Sequence, residues 1–183
     1  MRPATLSTSL RFVAVLGALL LAACSGSGDG GGSGPTSPSP MIVLTPDRAA
    51  GAGSIALRVG AGSTASVLQL EIVATEVPGI QAVDFLLLVP SGLLRFDSFT
   101  RGDLIGAGAQ VIFGGAGSDT LSFQILRTVQ ATPPDSGLIL TLTFTATAAG
   151  TGRFDFAGQL AEDLNGLTIP GIDWIGGTVQ VVQ

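Results

Sequence analysis

Reactive chemistry in this sequence falls to carboxylates and a single thiol. The 183 residues include no histidine, lysine or tyrosine, one cysteine (Cys24) and thirteen acidic residues. Without histidine there is no general base of the usual neutral-pH kind, and no Ser-His-Asp or Cys-His arrangement can be assembled. One cysteine and no histidine leave zinc without its common ligand set, and no glycine-rich loop ends in a lysine, so a phosphate-cradling P-loop is excluded. The scheme left open is a pair of carboxylates about 5–9.5 Å apart, as in glycoside hydrolysis. Glu162 and Asp163 are adjacent in sequence, so on a strand they point to opposite faces and make a poor pair. Glu162, Asp163 and Asn165 offer oxygen ligands of the kind calcium takes, yet Asn165-Gly166 reads more simply as a turn flanked by solvated acids. Arg101-Gly102-Asp103 spells the integrin-binding tripeptide RGD, which recurs by chance in chains of this length. The expectation is a chain without catalytic residues, cofactor or metal.

The thiol stands at a boundary. Arg2 and Arg11 bracket a start free of acids, and Phe12 to Ala23 is unbroken apolar or small. That run is about twelve residues, short of the roughly twenty a membrane-spanning helix needs. A basic start, a short apolar core and small residues at its end describe an export signal. Leu21-Ala22-Ala23-Cys24 resembles the lipobox of bacterial lipoproteins. The resemblance implies cleavage before Cys24, acylation of its sulfur and of the new amino terminus, and an exported chain held at the cell envelope by lipid. One acyl chain holds a protein marginally and two or more hold it stably. Ser25, where an aspartate would imply retention at the inner membrane, implies the outer membrane. Ser25 to Pro40 is rich in glycine, serine and proline and reads as a spacer of roughly 22 Å average span. The domains are therefore residues 1–23, a signal peptide; 24–40, the lipidated cysteine and flexible linker; and 41–183, one folded domain.

Charge and pattern define that domain. The whole chain carries eight basic residues; removing Arg2 and Arg11 leaves six arginines against thirteen acids, a net charge of −7. An acidic chain without a basic stripe argues against nucleic acid and against adhesion to anionic lipid, leaving the acyl anchor as the membrane contact. Leu138, Leu140, Leu142, Phe144 and Ala146 alternate with Ile139 and four threonines, the period of a half-buried strand. Ile55-Leu57-Val59, Leu68-Leu70-Ile72, Leu121-Phe123-Ile125 and Val179-Val181 alternate likewise, with Gly-, Ser- and Pro-rich turns between them. No amphipathic helix is evident. The pattern predicts an all-β domain, a β-sandwich of eight or nine short strands, with Phe85, Phe96, Phe113, Phe123, Phe144, Phe154 and Phe156 in its core. Trp174, between Ile172 and Ile175, reads as core or a sheet-end plug rather than a platform for sugar.

One segment breaks the rule that outer faces are polar. In Ile80 to Val89, IQAVDFLLLV, one face is Gln81, Val83, Phe85, Leu87 and Val89. The other is Ile80, Ala82, Asp84, Leu86 and Leu88, apolar around one carboxylate. Either the strand is covered on both sides, or this face awaits a partner.

Gly79-Ile-Gln-Ala-Val-Asp-Phe, Pro90-Ser-Gly-Leu-Leu-Arg-Phe, Gly102-Asp-Leu-Ile, Ser136-Gly-Leu-Ile-Leu-Thr-Leu-Thr-Phe, Gly152-Arg-Phe-Asp-Phe, Ala161-Glu-Asp-Leu-Asn-Gly and Gly176-Gly-Thr-Val-Gln-Val resemble, in order, the strands of cohesin domains, the sandwich modules that bind dockerins in cellulosome assemblies. The resemblance covers nearly all of Ile42 to Val182 and implies jelly-roll topology. It also implies that Asp84 is the outward carboxylate that hydrogen-bonds a dockerin helix, with Ile80, Ala82, Leu86 and Leu88 as the partner-binding face around it. Ala82 stands where the family has an asparagine, Ala157 where it often has an acid, and Val89-Pro90 replaces its Tyr-Asp-Pro turn. The function expected is a membrane-anchored, non-catalytic module that captures a protein partner, dockerin-like or another. The alternatives are a carbohydrate-binding sandwich taking a polysaccharide and a structural or adhesion lipoprotein of the cell surface.

Lipidation has a direct test. Cells expressing the chain and fed a labelled fatty acid are expected to yield labelled protein in the membrane fraction, with Cys24→Ala unlabelled. Equal labelling of both would refute attachment at Cys24.

Overall fold

The computed structural model describes residues 41–106, 108–128 and 134–182; Cys24 and the spacer lie outside the described residues. Eleven strands run β1 Met41–Pro46, β2 Ser54–Val59, β3 Val67–Thr75, β4 Ala82–Leu88, β5 Leu94–Arg101, β6 Gln110–Gly114, β7 Thr120–Leu126, β8 Gly137–Ala146, β9 Gly150–Glu162, β10 Asp173–Ile175 and β11 Gly177–Val182. They form a six-stranded sheet in the order β1-β11-β9-β4-β7-β6 and a five-stranded sheet in the order β10-β2-β3-β8-β5. The described residues contain no helix. The all-β expectation holds; the count exceeds eight or nine because the chain is cut more finely than its alternation suggests. β10 and β11 are separated only by Gly176, yet they lie in different sheets. The crossing needs glycine: a Cβ at Gly176 would sit 2.5 Å from the Phe154 carbonyl oxygen.

The core is where the period-two pattern puts it. Leu68, Leu70 and Ile72 of β3, Val83, Phe85 and Leu87 of β4, Leu121, Phe123 and Ile125 of β7, and Leu140, Leu142 and Phe144 of β8 are buried. The rings form a continuous run through the interior. Phe85 stacks on Phe123 at 5.3 Å and meets Phe156 edge-on at 5.6 Å. Phe123 touches Phe113 at 5.0 Å, Phe113 touches Phe96 at 5.1 Å, and Phe96 touches Phe144 at 5.6 Å, joining the sheets. Such pairs add about 0.5–1.5 kcal/mol each beyond the area they bury. All seven phenylalanines expected in the core are buried or packed against it. Trp174 lies 5.2 Å from Phe156 and 6.1 Å from Phe85, so its ring belongs to this cluster and is no open platform.

Ile80 departs from the expectation. Alternation puts it on the outward face with Ala82, Asp84, Leu86 and Leu88, but it is fully buried. The strand starts only at Ala82, and Gly79 turns the chain immediately before, at φ 74°, a conformation glycine adopts without penalty. Ile80 therefore lies outside the parity that governs β4, and its side chain joins the core. Ile139 is a second departure. β3 pairs Ile72 with Leu140 and Val73 with Leu138, leaving Ile139 as the extra residue of a bulge, and it too is buried.

The RGD tripeptide is a structural corner. Gly102 is buried just past β5, its amide donating to the Ile139 carbonyl at 2.8 Å, and the Leu138 amide donates to the Asp103 carboxylate at 2.9 Å. A Cβ at Gly102 would collide with the Leu138 carbonyl. Gly102→Ala is therefore expected to cost about 1–3 kcal/mol by overpacking against backbone, and Ile80→Ala about 2–5 kcal/mol by opening a cavity. Denaturant unfolding monitored by Trp174 fluorescence measures both; an Ile80→Ala protein as stable as the parent would refute its place in the core.

Candidate functional site: an uncovered apolar sheet face

With Val83, Phe85 and Leu87 turned inward, Ala82, Asp84, Leu86 and Leu88 are turned out. Among the described residues no other part of the chain closes over them: Leu86 is 38% and Leu88 41% exposed. Antiparallel register extends the face across four strands. Ala82 pairs with Leu126 of β7, and Leu126 with Gln110 of β6. Asp84 pairs with Gln124, which pairs with Ile112. Leu86 pairs with Ser122, which pairs with Gly114. On the other side β9 sets Glu162 beside Ala82, Leu160 beside Asp84, Ala157 beside Leu86 and Asp155 beside Leu88. The structure thus keeps Ala82, Asp84, Leu86 and Leu88 together, excludes Ile80, and adds Ile112, Leu126 and Leu160.

Those three additions have separate causes. Ile112 is 65% exposed and Leu126 48%; each follows from alternation in its own strand once Phe113 and Ile125 are known to point in. Leu160 does not follow. Phe154 and Phe156 set one parity for β9, which would turn Leu160 inward. Between Asp84 and Leu86 the β9 register slips, so Gly158 and Gln159 together oppose Phe85. Gly158 takes φ 56°, the left-handed conformation that the first residue of a glycine bulge needs. The bulge reverses the parity, buries Ala161 and brings Leu160 to the outer face.

Two adjoining depressions shape the surface. One, of about 500 Å³, lies among Asp84, Leu86, Ile112, Gly114, Ser122 and Gly158. The other, of about 260 Å³, lies over Ala82, Gln110 and Leu126 and shares Asp84, Ile112 and Gln124 with the first. Both are shallow and open. Asp84 enters no ion pair and no side-chain hydrogen bond among the described residues, and the same holds for Glu162. Asp155 differs, because the Arg153 guanidinium, which also grips Asp47, donates to it at 2.8 Å and holds its carboxyl below the usual range.

Completing burial of residues already half-covered, as Leu86, Leu88, Ile112 and Leu126 are, is worth about 1 kcal/mol each. Their sum is comparable to the lower estimates of what association costs, about 4 kcal/mol and upward. A partner must therefore also satisfy Asp84, since an unpaired carboxylate pressed against apolar surface costs several kcal/mol.

The other acidic candidates are turn residues. Asp163 accepts the Leu167 and Asn165 amides, each within 2.9 Å, and these bonds hold its carboxyl below the usual range. Among the described residues no group of three acidic, cysteine or histidine side chains is placed to hold a metal.

No protein-family model matches the chain, and no curated protein matches it. Solved structures do. A non-cellulosomal cohesin from the archaeon Archaeoglobus fulgidus superposes with a TM-score of 0.54 at 13% identity, covering 76% of this chain and 88% of that one. A type II cohesin domain from the cellulosome of Acetivibrio cellulolyticus gives 0.56 at 14% identity, covering 78% and 95%. The CaDoc0917–CaCohA2 complex gives 0.59 at 12% identity, covering 70% and 99%. At such identities the likeness concerns the fold alone: residues 41–182 form a β-sandwich with a cohesin-like fold.

Proposed function

We propose that the chain is a non-catalytic binding module, tethered at the cell envelope through lipidated Cys24 and placed at the outer membrane. It captures a protein partner, dockerin-like or another, on the β6-β7-β4-β9 face. The observation that carries this reading is the uncovered apolar surface around Asp84. A soluble domain seldom leaves such contiguous apolar area exposed unless something binds it. The likeness to cohesin structures, one of them a Doc–Coh complex, supports a protein as that partner. Catalysis finds no support in the groups present, and the packing of Trp174 inside the sandwich gives the polysaccharide alternative no platform.

Affinity comes from Leu86, Leu88 and their neighbours losing water, and orientation from Asp84 accepting hydrogen bonds. Asp84→Ala combined with Leu86→Ser is expected to leave the unfolding midpoint nearly unchanged, because both side chains are partly exposed. The same pair is expected to weaken capture of the partner from the native cell's secreted fraction at least tenfold. Retention of the same proteins by parent and double variant would overturn the assignment of this face.

A further inference from the structure

The six-stranded sheet ends at β6, and the edge of that strand is unprotected. β6 pairs with β7 alone, and it contains no charge and no proline. Sheet edges are ordinarily blunted by charge, bulges, proline or brevity. The other edges show these devices. β5 carries Arg95, Asp97 and a bulge, β10 has three residues, and β1 ends in Pro46, with Leu44 buried. Ile112, at the centre of β6, is the most exposed large apolar side chain among the described residues.

Hydrogen-bond parity identifies the main-chain groups this edge offers. In an antiparallel ladder each residue turns its N–H and its C=O to the same neighbour, and successive residues alternate. At the two ends of the β4–β7 register the Val89 amide donates to the Asp119 carbonyl at 2.8 Å and the Arg127 amide to the Gln81 carbonyl at 2.9 Å. Odd-numbered residues of β7 therefore bond to β4 and even-numbered ones to β6. Ile112 pairs with Gln124, so Gln110, Ile112 and Gly114 bond back to β7. Val111 and Phe113 turn their amides and carbonyls to the open edge, with no partner among the described residues. Their side chains are only partly buried against the core, so a strand added here covers apolar surface as well.

We propose that the occupant of this edge is β6 of a second copy of the chain, antiparallel about a two-fold axis through Ile112. Each Val111 then stands opposite Phe113 of the other copy. The two such pairs exchange hydrogen bonds that satisfy every free amide and carbonyl of Val111 and Phe113. The groups themselves select this register. An axis at Val111 or at Phe113 brings Ala109 or Gly115 into the ladder, but the Ala109 amide already donates to Gly106 and the Gly115 carbonyl already accepts from Ser118. The same register sets an aromatic against a β-branched side chain, a favourable cross-strand pair, and the long Gln110 against Gly114. No charge of β6 meets its like, although the mature chain is acidic overall. The two-fold stands perpendicular to the sheet, so two six-stranded sheets become one, with both Asp84 faces on the same side. Five residues a side fall short of the roughly 20–30 of a stable interface. Pairing is therefore weak in dilute solution and grows where copies are held together.

Disulfide trapping reads the register directly, and it does not depend on what the face binds. In the full chain carrying Cys24→Ser, single cysteines are introduced and oxidised mildly at high protein concentration. Ile112 and its copy form a non-hydrogen-bonded pair, whose Cα atoms lie about 4.5 Å apart, within disulfide reach. Ile112→Cys is expected to give covalent dimer at least tenfold faster than Gln110→Cys or Gly114→Cys alone. A mixture of the Gln110→Cys and Gly114→Cys chains is expected to cross-link at least tenfold faster than either by itself. Val111→Pro removes an edge donor while leaving the β6–β7 ladder intact, a place where a strand tolerates proline. It is expected to slow trapping of Ile112→Cys at least tenfold. Equal rates at Gln110, Ile112 and Gly114 would mean random collision and overturn the proposal. Faster trapping by Val43→Cys, at the centre of β1, would assign the contact to the opposite edge and overturn it equally. So would trapping at Ile112 that Val111→Pro, with an unaltered unfolding midpoint, fails to slow. Where Val111→Pro lowers the midpoint, the pattern over Gln110, Ile112 and Gly114 decides alone.

Discussion

The position of one ring, Phe85, decides what the outer surface of this domain is. It is stacked on Phe123, edge-on to Phe156 and within 6.1 Å of Trp174, and no rotation about β4 can release it without dismantling the interior. A pleated strand alternates strictly. Fixing Phe85 inward therefore fixes Asp84 and Leu86 outward, whatever those side chains would prefer. The core does not merely support the face; it dictates which residues the face contains. Solvent exposure of Leu86 and Leu88 is a consequence of packing elsewhere, and it persists because no loop of the described chain crosses over them.

Much of this was readable from sequence because it rests on period two alone. The β-sandwich, the aromatic core, the outward turn of Asp84, Leu86 and Leu88, and the inward place of Trp174 all follow from alternation and from the residue types available. The misreadings occur where alternation is interrupted. The parity of β4 does not extend the two further residues to Ile80, which directly follows the turn at Gly79. Leu160 was missed because the Gly158 bulge reverses parity in mid-strand. Glycine in a strand hints at such a break, but β9 holds three glycines, and sequence does not say which one takes the left-handed conformation.

Competing signals resolve by the same accounting of backbone and space. The RGD tripeptide occupies a corner whose glycine is hemmed in by a carbonyl and whose aspartate accepts a backbone amide. Asp163 is consumed by the turn it closes. In each case a polar side chain that looked available is already spoken for by main-chain donors. Asp84 is the contrast: it projects from a central strand paired on both sides, and no main-chain amide among the described residues donates to its carboxylate.

The two ends of the domain meet in one sheet. β1 has a single neighbour, β11, with Met41 opposite Val182, and β11 in turn inserts between β1 and β9. The first strand consequently has nothing to pair with until the final one has been synthesised and delivered. Contacts that span the whole chain form slowly and late. A polypeptide so arranged keeps one edge of its six-stranded sheet open until β11 has emerged, so joining the domain's two ends belongs to the last stage of its folding.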